Sequence, residues 1–147
     1  MNKLSHSQRG ASAVEFAIVL PILMLIIFAI VNFGIVMSNQ AIITNAAREG
    51  ARWASVHTTS SYGTGCSATY SATPTDPCQA AFSYANNLLI SFGIGPELSV
   101  TNPTPSDYNS GTPQTVTVSY DYYGIGYFFS SFFSDKTYTA TSVMLHE

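Results

Sequence analysis

Glu15 stands alone at the head of a long uncharged run. From Phe16 to Ala47 there are 32 positions without an Asp, Glu, Lys or Arg. A carboxylate there is costly, because insertion scales penalise a charge at the bilayer centre by about 2.5–3.5 kcal/mol, and by less near the interface. Two kinds of chemistry can offset that cost. Ser12 and Glu15 fit a Ser-x-x-Glu capping box, and an acid in the first helical turn suits the helix dipole. Alternatively, a cut after Gly10 gives Ala11 a new ammonium, and Glu15, four residues on, lies one helical turn away. Glu15 then pairs with its own amine or with that of a neighbouring subunit.

Other chemistry-bearing residues are few. Cys66 and Cys78 have eleven residues between them. In an oxidising compartment they are expected to form a disulfide, which stabilises by about 3 kcal/mol in the chain-entropy model. The alternatives are two free thiols or half a metal site, and no nearby His or further Cys completes such a site. His6, His57 and His146 are scattered. There is no Gly-rich phosphate loop, no His-Glu-x-x-His and no nucleophile with an evident base. The expectation is therefore no enzyme, no cofactor, no metal and no small-molecule substrate. A net charge of −3 with five Lys+Arg excludes the basic face that a nucleic-acid binder needs.

The element that must position Glu15 is a membrane helix. Phe16 to Met37 is 22 residues interrupted only by Pro21, Asn32 and Gly34. About 20 apolar residues cross a bilayer, whereas a secretory signal has an apolar region of only about 7–15. Lys3 and Arg9 precede the span, so the N-terminus stays cytoplasmic and the C-terminal part lies outside, in the periplasm of a diderm bacterium. Composition agrees: only 9% of the 147 residues are charged, against about 25% in an average soluble domain. That length allows one modest domain.

A short basic leader ending in Gly10, a Glu five residues into the chain that follows, and then a long apolar helix resemble a type IV prepilin. The Glu15-Phe16 pair, Pro21, Asn32-Phe33-Gly34 and Ala46-Ala47-Arg48-Glu49-Gly50-Ala51-Arg52 narrow the resemblance. Together they are similar to the TadE-like minor pseudopilins of the tight adherence (Tad) pilus, a type IV pilus system. The resemblance is dense over residues 9–54. It implies cleavage between Gly10 and Ala11 by a prepilin peptidase, an aspartic membrane protease. It further implies that Glu15 is the register contact of assembly, and that the partners are other pilins and pseudopilins, the Tad assembly machinery and the inner membrane. Adherence and biofilm formation follow as expected roles, and the subunit ends in the inner membrane or in an extracellular pilus. Many type IV prepilins carry Phe at the first mature position. Ala11 fits the TadE-like group better and leaves N-methylation open. The other reading is an uncut bitopic envelope protein whose outer domain binds a periplasmic partner.

The rest of the chain reads as a small α+β domain of pilin-like layout. Residues 1–10 form the leader, 11–56 the long helix (transmembrane in its first half) and 57–147 the extracytoplasmic domain. A helix over 11–56 is about 69 Å long at 1.5 Å per residue, so its outer half must pack on that domain. Ile43, Ala46, Ala47, Gly50 and Ala54 recur at helical spacing and make a small face that another element can approach closely. Pro21 is expected to kink the helix, with neighbouring subunits taking up the freed carbonyl. Residues 57–77 form a Ser/Thr-rich loop. Asp76 and Pro77 then open a second helix with the apolar stripe Ala81, Ala85, Leu88, Leu89 and Phe92, closed by Gly93. Leu98 and Val100 mark a strand that Pro103 should stop near Asn102. Asn109-Ser110-Gly111 marks a turn. Val116, Val118, Tyr120 and Tyr122 alternate with polar residues in a second strand, and a third runs from about Thr137 to Leu145. These strands suggest an antiparallel sheet of about three strands against the long helix. Tyr127, Phe128, Phe129, Phe132 and Phe133 crowd between the last two, either as core or as an exposed docking patch.

Overall fold

A computed structural model describes residues 5–57, 69–90, 97–104, 109–122 and 136–147. Its element order is α1 (Ser5–Val56), α2 (Pro77–Asn86), β1 (Glu97–Thr104), β2 (Pro113–Tyr122) and β3 (Lys136–Leu145). The strands form one antiparallel sheet in the order β1-β2-β3. The fold is α+β: a long N-terminal apolar helix, a short second helix and a small antiparallel sheet. The chain divides into two compact units, Met1–Ile35 and Val36–Glu147, with α1 shared between them. Cys66, Phe92, Gly93 and the aromatic segment 127–133 lie outside the described residues.

α1 begins earlier than the leader boundary suggests. It includes Gly10, and Ser12 and Glu15 lie well inside it. A capping box needs a non-helical residue at its start, so Ser12 does not cap α1 here. Pro21 also stands within the helix and does not end it.

The second unit is built on the small face of α1. Ile43, Ala46, Ala47, Ala51 and Ala54 are fully buried, as are Cys78, Ala81 and Ala85 of α2. Gly50 marks the closest approach. A Cβ placed there would lie 2.9 Å from the Pro77 carbonyl oxygen, 3.1 Å from the Ala81 Cβ and 3.1 Å from a Val116 methyl. β2 turns Val116, Val118, Tyr120 and Tyr122 into this core, with Leu98 and Val100 from β1 and Ala140 from β3 beside them. The opposite sheet face carries hydroxyls. Thr117 lies 3.2 Å from Thr141 and Ser119 3.4 Å from Thr139, oxygen to oxygen, and the Thr137 hydroxyl donates to Asp121 at 2.6 Å. The β2 alternation thus has the physical meaning expected of a half-buried strand.

α2 starts as its sequence requires. The Asp76 side chain accepts the Gln79 N–H at 2.7 Å and Pro77 takes the first turn, a cap that contributes about 1 kcal/mol. Its end differs from expectation. α2 stops at Asn86, and the Leu88 and Leu89 N–H groups both turn back to the Ala85 carbonyl at 3.0 Å. Leu88 is exposed, so it does not extend the buried stripe. The cause lies far away in sequence: the backbone of Ile90 is bonded to Asn39 on α1, which a continuing helix would forbid.

β1 also runs further than expected, through Pro103 to Thr104. Two features permit it. β1 is an edge strand, where a missing N–H can face away from the sheet. In addition, the register with β2 shifts between Thr101 and Thr104. Gly111 takes the left-handed conformation at φ 87°, and Thr112 donates to the Asn109 carbonyl at 3.0 Å, closing the expected turn.

Candidate functional site

Positions 10–31 of α1 form an uninterrupted exposed segment. Phe16, Ile18, Ile22, Leu23, Leu25 and Ile30 all present large apolar side chains to the outside. Covering such surface stabilises by about 25 cal/mol per Å², so the helix needs a bilayer or other helices around it. Its length and composition suffice to cross a membrane. The four positions singled out in sequence sit on this segment. Gly10 and Ala11 are exposed and helical, Glu15 follows Ala11 by about one turn, and Pro21 stands six residues beyond Glu15. Among the described residues, nothing lies within 4 Å of where a Cβ at Gly10 would sit.

Residues 10–52 match the family model described as TadE-like protein. No curated protein and no solved structure matches the chain. The TadE-like stretch starts at Gly10 and ends at Arg52, so it contains Glu15, Pro21 and the small helix face, while α2 and the sheet lie outside it. Among the described residues, one helix is long and apolar enough to cross a membrane.

The outer part of the TadE-like stretch holds a polar junction that sequence reading passes over. Asn39 is only 1% exposed, yet its amide is fully used. Its Nδ2 donates to the Ile90 carbonyl at 2.9 Å and to the Tyr120 hydroxyl at 3.2 Å, and its Oδ1 accepts the Ile90 N–H at 3.0 Å. A buried amide bonded at both ends fixes geometry, since each lost partner would be costly. One side chain therefore joins α1, the segment after α2, and β2. Asparagine is common on exposed helix faces, and only a distant partner reveals this one.

Burial pushes the Tyr120 hydroxyl above its ordinary 10.0, helped by Tyr122 and opposed by the Asn39 hydrogen bond. Tyr122 is raised too, by burial and by Tyr138. A raised folded pKa means the folded state holds its proton where the unfolded state has lost it. Stability is thus fully present below 10.0 and is lost as pH rises through the raised values. Thermal melts should show the melting temperature falling above pH 10, and the Tyr120→Phe/Tyr122→Phe chain should lose part of that fall.

Near the end of α1, Glu49 and Arg52 form an ion pair at 2.8 Å with a second bond at 3.1 Å. The Arg52 hydrogen bond lowers the Glu49 carboxyl and raises the guanidinium. The pair is exposed, so it reads as a solvated contact of small energetic weight. Trp53 stacks on His57 at 4.0 Å and 3°. An open groove of about 580 Å³ beside them is lined by Glu49, Trp53, Tyr70, Ser71, Ser83 and Tyr84, among others. Ser71 and Ser83 are bonded to each other through N–H and hydroxyl groups. Cys78 is buried, and no cysteine is free among the described residues.

Proposed function

We propose that the chain is a minor pseudopilin of a Tad/Flp-type pilus, a structural and assembly subunit rather than an enzyme. It sits in the bacterial inner membrane with its N-terminus in the cytoplasm and the domain from Val36 onward in the periplasm. A prepilin peptidase cuts after Gly10, and the mature helix then packs with other pilins and pseudopilins under the Tad machinery, serving pilus biogenesis, adherence and biofilm formation. Ala11 carries the new ammonium, and Glu15 pairs with it or with a neighbour's. Cys66 and Cys78 form a disulfide that ties the Ser/Thr-rich loop to the start of α2 in the oxidising periplasm.

One observation carries this reading: the TadE-like match begins at Gly10, and the charge-free apolar run after Glu15 lies exposed along α1. The test is the intact mass and N-terminal sequence of the membrane-extracted protein. The expected N-terminus is Ala11, and the expected mass is two hydrogens lighter before reduction than after it. A start at Met1 in cells with active peptidase would replace this reading with an uncut bitopic anchor. Glu15→Ala should leave cleavage intact and abolish most assembly, because the carboxylate is needed only after the cut. Full piliation in that variant would remove the pairing role.

A further inference from the structure

We draw no further inference here: the strongest candidate, the groove beside the outer end of α1 lined by Glu49, Trp53, Tyr70, Ser71, Ser83 and Tyr84, adjoins in sequence residues 58–68, which lie outside the described residues, and nothing in the structure shows what occupies it.

Discussion

Gly50→Leu should leave the unit from Val36 onward without cooperative folding, while Gly34→Leu folds normally. The difference is one of space. Gly34 has nothing within 4 Å of where a Cβ would sit, whereas Gly50 faces the Pro77 carbonyl oxygen at 2.9 Å. That oxygen is backbone at the start of α2, and it cannot swing aside as a flexible side chain would. Two further neighbours, the Ala81 Cβ and a Val116 methyl, both stand at 3.1 Å. A leucine would have to push α2 and β2 away from α1 together. Even Gly50→Ala should destabilise. Alanine gains about 1 kcal/mol of helix propensity over glycine, but overpacking a well-filled core costs about 1–3 kcal/mol. The net loss should appear as a lower melting temperature, and a Gly50→Ala chain at least as stable as wild type would show that α1 has room to shift. Gly34→Ala, with the same propensity gain and open space, is the matched control.

This crossing was legible in the sequence because it is local. Ile43, Ala46, Ala47, Gly50 and Ala54 repeat at helical spacing, and small side chains at that spacing mean close approach. The membrane-length run, the Asp76-Pro77 start of α2 and the alternation of β2 were legible for the same reason. What misled was decided by residues distant in the chain. The stripe from Ala81 to Phe92 predicts a helix ending at Gly93, yet α2 stops at Asn86 because Asn39, 51 positions before Ile90, takes the Ile90 backbone. Pro103 reads as a strand terminator until β1 is seen to be an edge with a shifted register. Ser12 and Glu15 read as a cap until the helix is seen to start at Ser5. Local rules predict elements well and their ends poorly, since an end is set by whichever partner claims the next backbone group.

Asn39 offers the sharpest test of that point. Asn39→Leu keeps the branching and the number of side-chain heavy atoms on α1 and removes all three hydrogen bonds of the amide. The Ile90 N–H and C=O groups lose their partner, and the Tyr120 hydroxyl keeps only a long 3.5 Å contact to the Ile90 carbonyl. An unsatisfied buried polar group costs about 1–3 kcal/mol. Ile90 is exposed enough for water to take over part of its bonding, so the expected loss is about 2–4 kcal/mol rather than the full sum. That is a large share of the roughly 5–15 kcal/mol that holds a domain folded, and at about 4–8 °C per kcal/mol it is plain in a thermal melt. Asn39→Asp separates the amide's chemistry from its size. An aspartate can still accept the Ile90 N–H but cannot donate while ionised, and burial raises its carboxyl above the unfolded 3.9 or so. Its folded form therefore gains relative stability as pH falls toward that value and loses it as pH rises. Asn39→Asp should sit nearer to wild type at pH 4 than at pH 7, whereas the Asn39→Leu deficit should change little between them. Equal deficits for Asn39→Asp at both pH values would mean that the side chain at position 39 is open to water and that α1, the end of α2 and β2 are held together by packing alone.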